Sequence, residues 1–166
     1  MTTQVLEKPV EAIVVSDYIL WKRKGKPTTN LDVIKLVYLS HGWHLGIYGE
    51  PLITEPVEAW TYGPVIRSVY DCFKTFGGRP INVYPRDNSN LLSVRQRLLI
   101  DETLRTYNAF DSWELSAITH EKGSPWDQVT GLYGTVGSSN TPMIIPNDII
   151  QEHYGSLYKD YHAAQR

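Results

Sequence analysis

The sequence predicts a mainly α (α+β) fold: a single domain, residues 1–166, of about six or seven helices with a small two- or three-stranded β element near residues 52–62. Apolar residues recur at spacings of three and four along most of the chain, between proline, glycine and polar capping residues. A two-residue alternation, typical of a strand, occurs at residues 58–62. With 166 residues and 42% hydrophobic composition, the chain can bury one core.

Residues 1–8 are predicted to be a flexible tail, and the first helix is predicted to begin at Pro9, a residue suited to the first helical position. The apolar face of this helix carries Val10, Ile13, Val14, Tyr18 and Trp21. The basic run 22–26, with Gly25 and Pro27, ends it. Two interpretations of these cations stay open, because they either complement the helix dipole or form a contact patch.

A second helix is predicted between a cap at Thr29 or Asn30 and a stop at Gly49 and Pro51. One face of this helix carries Leu31, Ile34, Tyr38, His41 and Leu45. Because Val37 and Trp43 lie beside that face, the helix is apolar over much of its surface. We therefore expect it at the centre of the domain.

The stretch 58–65 predicts a strand, a sharp corner and a helix. Gly63 adopts backbone angles that other residues avoid, and Pro64 is suited to the first turn of a helix. The predicted helix runs from Pro64 to Gly77, and its apolar stripe carries Ile66, Val69, Tyr70 and Phe73. Residues 52–54 and 56–60 are predicted short strands that need support from helices.

Four more helices are predicted in the C-terminal half. The first spans about residues 93–107, and the second follows a capping box formed by Asp111 and Glu114. The third begins at Pro125, with Ser124 as its cap, and a glycine- and serine-rich loop follows at residues 131–141. The last helix begins at Pro146.

Composition excludes several classes of protein. The net charge of −2 gives no electrostatic basis for binding nucleic acid. The single cysteine, Cys72, excludes an internal disulfide, and its position on an apolar face predicts a buried, unreactive thiol. The N-terminus lacks the features of a signal peptide, and no apolar run approaches the ~20 residues of a membrane span. We therefore expect a cytoplasmic protein.

Several stretches, in this order, resemble the Panacea antitoxin domain family, which includes SocA-like and phage-associated GepA-like proteins. They read KLVYLSHGWHL at 35–45, GEPL at 49–52, EAWTYGPV at 58–65 and VY at 69–70 with Phe73 behind it, and a fainter match covers 114–121 with PW at 125–126. Within the matching positions lie His41, Trp43, Gly63, Pro64, Tyr70 and His120. The similarity runs from about residue 10 to residue 154.

The resemblance implies a helical protein that binds a partner protein and uses no cofactor. Its partner is expected to be a cognate toxin, which it neutralises by direct complex formation or delivers to a host protease. An alternative within the same resemblance is a phage or mobile-element protein that binds a host or defence factor. No nucleic acid or membrane is expected as a partner.

The residues themselves suggest where a partner binds. Arg67 lies in the first turn after Pro64, where the helix dipole disfavours a cation, so Glu55, Glu58 or Asp71 is expected to pair with it unless an acidic partner does. Trp60 and Tyr62 are predicted to share one face of a strand, and Trp126 follows Pro125. Each aromatic is either core or an interface anchor. The candidate partner-binding residues are therefore Trp60, Tyr62, Arg67, Asp71 and Trp126.

A hydrolytic enzyme remains the alternative from another class. Such an enzyme would combine His41 and His120 with Arg67 or Asp71 in a pocket, although no catalytic spacing is present. No metal site is predicted, because His41, His44 and His120 lack a cysteine or a close acidic pair to complete a ligand set. We expect His41 to be hydrogen-bonded beneath the β element.

Overall fold

The computed structural model describes residues 6–83, 86–133 and 143–166, and these form seven helices and one three-stranded sheet. The predicted mainly helical class with a small β element is confirmed. The helices are α1 (Ala12–Lys22), α2 (Asn30–Tyr48), α3 (Arg67–Phe73), α4 (Val94–Thr106), α5 (Ser112–Thr119), α6 (Pro125–Tyr133) and α7 (Asn147–Ala163). The strands are β1 (Val57–Trp60), β2 (Gly63–Val65) and β3 (Met143–Ile145).

Helix α2 lies at the centre of the structure, as the sequence predicts. All of its residues from Asp32 to Leu45 are buried except Trp43, which is partly buried. Helices α1, α3, α4, α5 and α7 and strand β2 all pack against it. Thr29, one of the two predicted caps, closes a capping box with Asp32, and Gly49 ends the helix with φ of 71°.

The contact between α2 and α7 depends on glycine. A Cβ atom on Gly42 would lie 2.5 Å from the ring of Tyr154, and a Cβ on Gly46 would lie 2.6 Å from the backbone nitrogen of Gly155. The two backbones therefore approach more closely than any side chain on Gly46 would allow. Ile150 and Tyr154 on α7 are buried by this contact.

Helix α1 begins later than predicted, and Pro9 is not its first residue. Val10 instead bridges to Ile53 as an extended residue, with its N–H donating to the Leu52 carbonyl at 2.9 Å. The carboxylate of Glu55 accepts the backbone N–H of Ala12 at 2.8 Å and so caps the true start of the helix. A long-range pairing thus overrides the local helix signal at residues 9–11.

The sheet corrects the prediction at residues 58–65. Its order is β2-β1-β3, all antiparallel, and Glu58 pairs with Val65 on one side and with Ile144 on the other. Gly63 and Pro64 belong to β2, so Pro64 does not start a helix, and α3 begins at Arg67. Gly63 has φ of 107°, which permits the chain to reverse just after residue 62.

The sheet also lies further along the chain than predicted. Residues 52–54 form no strand beyond the bridge at Ile53, and β3 comes from the distant segment 143–145. The apolar stripe predicted for α3 is confirmed at Ile66, Val69 and Phe73, which are buried. A 3₁₀ turn, Lys74–Phe76, follows α3 before Gly77.

The capping predictions in the C-terminal half are confirmed. Ser93 and Gln96 form a capping box for α4, and Asp111 and Glu114 form the predicted one for α5. The Ser124 hydroxyl accepts the backbone N–H of Asp127 at 3.2 Å, as expected of a helix cap. Gly131 lies inside α6, and the rest of the predicted 131–141 loop, from residue 134 on, lies outside the described residues.

A charge cluster fixes the chain at Glu7, although residues 1–8 were predicted to be a tail. Arg95 forms ion pairs with Glu7 at 3.0 Å and with Glu50 at 2.6 Å. Fully buried His44 contacts the Glu50 carbonyl through Nδ1 at 2.6 Å and lies 3.6 Å from Glu7. Burial lowers the pKa of His44.

His41 joins three segments of the core and is fully buried, as the sequence predicts. Its Nδ1 accepts the backbone N–H of Leu52 at 3.3 Å, so the proton is on Nε2, which donates to Asn147 Oδ1 at 3.0 Å. Burial lowers the pKa of His41 to about 4, while the bond to Asn147 opposes this shift. The neutral ring therefore ties α2 to the start of α7 and to the segment before β1.

None of the helices in the described part of the chain has both the length and the apolar character of a membrane span.

Replacing Gly46 by alanine is expected to destabilise the protein, because the new methyl group meets the α7 backbone, which has no rotamer with which to avoid it. We expect a loss of about 1–3 kcal/mol in the free energy of unfolding, measured by chemical denaturation. Gly131→Ala is the matched control, since no atom of the described residues outside its own stretch of helix lies within 4 Å of its Cβ position. That variant should be neutral or slightly more stable; equal effects of the two changes would contradict the close contact.

The free energy of unfolding is expected to fall as the pH falls from 6.5 to about 4. In this range the unfolded chain protonates His41 and the folded protein does not, so stability is complete above pH 6.5 and is lost below it. The loss attributable to His41 is about 3 kcal/mol. In His41→Gln the loss should shrink to the part owed to other groups; an unchanged pH dependence would refute the role of this histidine.

Candidate partner-binding surface

The turn between β1 and β2 presents an aromatic side chain to solvent. Strand β1 ends at Trp60, and residues 61–62 form the turn. Tyr62 is therefore not on the strand, and the prediction that it shares a strand face with Trp60 is wrong. The Tyr62 side chain is 69% exposed. It is therefore an available contact and not a part of the core.

Hydrogen bonds from a buried lysine fix the backbone of this turn. Lys35 of α2 is completely buried, and its Nζ donates to the carbonyl oxygens of Tyr62 at 2.9 Å and Pro64 at 3.0 Å. The Ser116 hydroxyl of α5 also donates to the Tyr62 carbonyl, at 3.1 Å. Burial lowers the pKa of Lys35 to about 7. A neutral amine has two N–H groups, which match the two carbonyl acceptors.

The expected internal ion pair of Arg67 is formed with Glu58, one of the three predicted partners. Arg67 donates from Nε to Oε1 at 3.0 Å and from Nη2 to Oε2 at 2.8 Å, and this bonding raises its pKa. Its guanidinium also lies over the Trp60 ring, 5.0 Å from the centroid. Half of the Arg67 side chain is exposed, so one side of the group faces solvent.

The tryptophans beside this pair are partly buried. Trp60 donates from Nε1 to Glu58 at 2.6 Å and packs edge-on against Tyr70, with 4.8 Å between the ring centroids. Trp126 donates from Nε1 to the Trp60 carbonyl at 2.7 Å and packs against His120. The side chains of Trp60, Arg67 and Trp126 therefore lie together and support the hairpin.

The remaining predicted site residues lie elsewhere. Asp71 is exposed on α3 and pairs with Lys74 at 2.8 Å. Trp43 donates to the Tyr107 hydroxyl at 3.0 Å and belongs to the α2–α7 contact. The prediction that Cys72 is buried is wrong, since it is exposed. The buried positions of short helix α3 are Val69 and Phe73, which face away from it.

No catalytic arrangement connects the residues of the hydrolase hypothesis. His41 is bonded to Leu52 and Asn147, whereas His120 packs against Trp126, and its buried Nδ1 has no hydrogen-bond partner among the described residues. Partial burial and the charge of Asp17 raise the pKa of the Cys72 thiol, which disfavours a thiolate nucleophile. No group of three or more histidine, cysteine or acidic residues suited to a metal ion occurs among the described residues.

Two residues near the hairpin, one buried and one exposed, were not identified from the sequence. Lys35 sits within an apolar helix, where only its contrast with its neighbours could have pointed to a buried role. Trp113 is 74% exposed and lies one helical turn before Ser116, which contacts the hairpin. Its position inside the capping box of Asp111 and Glu114, outside the apolar stripe of α5, was the available signal. We name Tyr62 and the exposed side of Arg67 the hairpin surface.

Comparison with known proteins gives one consistent result. A family model for the antitoxin SocA-like Panacea domain matches residues 33–127. The antitoxin SocA of Caulobacter vibrioides (strain NA1000 / CB15N) is 31% identical over 139 residues, which cover 76% of this chain and 73% of that protein. No solved structure matches the chain significantly. The family match extends from α2 to α6 and includes the whole hairpin surface.

Replacing Lys35 by methionine is expected to loosen the hairpin, because methionine fills the space but donates no hydrogen bond to the two carbonyls. Amide hydrogen exchange at residues 61–63 and at Val65 should accelerate, while exchange in α2 and α7 stays as in the wild type.

The same variant is expected to alter the pH dependence of stability. Since burial lowers the pKa of Lys35 from 10.5 to about 7, the unfolded chain binds more protons between these values, and the free energy of unfolding should rise with pH there. Lys35→Met should lose this rise, and Lys159→Met, an exposed control on α7, should keep it. Unchanged amide exchange and pH dependence in Lys35→Met would refute the role of Lys35 in fixing the turn.

Proposed function

The chain belongs to the antitoxin SocA-like Panacea domain family, and from this premise we propose that it is a protein-binding antitoxin. It neutralises a cognate toxin by forming a direct complex with it in the cytoplasm. The hairpin surface is the proposed contact with the toxin. This mechanism needs no cofactor and no catalytic group.

The choice of this surface rests on one observation, which is that Tyr62 is exposed on a turn with a fixed backbone. An aromatic side chain that is 69% exposed stands on a turn whose backbone is bonded to Lys35 of α2 and Ser116 of α5. Tyrosine, tryptophan and arginine are the residues most often found as energetic anchors of interfaces. Because the turn is already held in place, little conformational entropy is lost when a partner binds to it.

The neighbouring residues support the same surface. The guanidinium of Arg67 is fixed between Glu58 and Trp60, so its exposed side is presented in one orientation. Trp126 supports the hairpin through the Trp60 carbonyl and is a partly buried rim residue. We assign Asp71, which is exposed one helical turn after Arg67, to the edge of this contact.

The fate of the toxin distinguishes two forms of neutralisation. An antitoxin that only blocks its toxin leaves the toxin level unchanged or raises it, whereas an adaptor that delivers the toxin to a protease shortens its lifetime. Following the toxin by pulse-chase, with and without this protein, separates the two. Recovery of a host or defence factor in place of a toxin would favour the phage or mobile-element alternative.

Replacing Tyr62 by alanine is expected to weaken toxin binding about 30-fold, which corresponds to a hot spot of about 2 kcal/mol. The melting temperature should not change, because the side chain is exposed. Affinity for the toxin encoded beside this protein, and rescue of growth on co-expression, are the measurements. Tyr161→Ala is the matched control, because Tyr161 is 61% exposed on α7. Wild-type rescue and affinity in Tyr62→Ala would exclude this surface.

A further inference from the structure

The basic loop that joins α1 to α2 lines a cavity of about 290 Å³. Residues 81–83 line its other side. The lining residues include Arg23, Lys24, Lys26, Ile81 and Val83. Three of them are cations and none is acidic, so the cavity combines positive charge with an apolar wall.

The three cations have only neutral partners. All the acidic residues of the chain lie within the described part, and none of them forms an ion pair with Arg23, Lys24 or Lys26. Arg23 donates from Nε to the Thr28 hydroxyl at 3.0 Å, and Lys26 contacts the carbonyl and side-chain oxygens of Asn108. Lys24 lies over the Trp21 ring, 5.5 Å from its centroid.

Arg23 and Lys26 lie close enough for their charges to repel each other. Burial lowers the pKa of the Arg23 guanidinium, and the charge of Asp32 offsets this only in part. For the exposed Lys26, burial and then the charge of Arg23 lower the pKa, and the charge of Asp32 opposes this shift. Two cations that repel each other are thus held at one cavity with no carboxylate bonded to either.

Complementing the dipole of α1 explains only part of this pattern. Lys22 in the last helical turn has an acidic partner, Asp101, at 3.2 Å. Arg23 and Lys26 follow the last helical residue, and both line the cavity. The Thr28 hydroxyl fixes Arg23 through Nε, and the terminal nitrogens of Arg23 make no hydrogen bond to any described residue. These nitrogens are the donors that a planar carboxylate or a phosphate accepts in pairs.

We propose that this cavity is a binding site for a small oxyanion, a phosphate or carboxylate group, held between Arg23 and Lys26. The Asn82 amide offers a further polar contact, and Ile81 and Val83 suit an apolar portion of the same ligand. The site shares no residue with the hairpin surface and does not depend on the toxin-binding proposal.

The test is a titration of the ¹⁵N-labelled full chain with sodium phosphate and, in a second arm, sodium acetate, with sodium chloride at matched ionic strength as reference. Saturable shifts of the amide signals of residues 23–26, 28 and 81–83 with either oxyanion, absent with chloride, are the expected result. Binding in the phosphate arm alone would identify a phosphate ligand, and binding in the acetate arm would identify a carboxylate. No saturable shift in either arm would overturn the proposal.

Variants distinguish a built site from general attraction to positive charge. Arg23→Gln and Lys26→Gln should each weaken the oxyanion at least tenfold, and the exposed position of Lys26 keeps that variant folded. Arg105→Gln removes an exposed arginine that pairs with Glu102 on α4 and should bind as the wild type does. If all three variants lose the same small part of the affinity, the effect is nonspecific and the site is refuted.

Discussion

The close packing of α7 against α2 is the constraint on which the rest of the structure depends. A helix that is buried on nearly every side needs neighbours all round it, and α7 covers the side that the other elements leave open. The glycines at positions 42 and 46 let Tyr154 and the α7 backbone approach. Because His41 bonds to Asn147 at the start of α7, this packing also fixes the segment before β1.

The polar residues of α2 have a common function in this arrangement. Lys35, His41 and His44 are completely buried, and each bonds to backbone groups of a loop or turn. Burial disfavours the charged form of all three, and their pKa values are lowered accordingly. A central helix thus organises the irregular segments around it by satisfying backbone groups that would otherwise be buried without partners. The turn between β1 and β2, which exposes Tyr62, is one of these segments.

Local signals in the sequence predicted local structure well. The cap at Thr29, one of two candidates, the capping box at Asp111 and the cap at Ser124 were identified because a cap and its helix are adjacent in the chain. Prolines misled at both Pro9 and Pro64, since each is compatible with a helix start and with an extended strand. Which of these forms depended on pairing with Ile53 and with β1, which adjacent residues do not encode. Strand β3 was missed for the same reason.

At the candidate site, the Arg67–Glu58 pair was predictable from sequence distance, whereas the burial of Lys35 and the exposure of Tyr62 and Cys72 depended on tertiary packing.

The hydrogen bonds from Lys35 to the turn affect how the sheet can contact other molecules. The carbonyls of Tyr62 and Pro64 that bond to Lys35 point away from β1, along the outer edge of β2, and Pro64 has no N–H to offer there. That edge therefore lacks the free donors and acceptors by which an incoming strand extends a sheet. Strand addition is disfavoured on this side, and the proposed recognition at the hairpin relies on side chains.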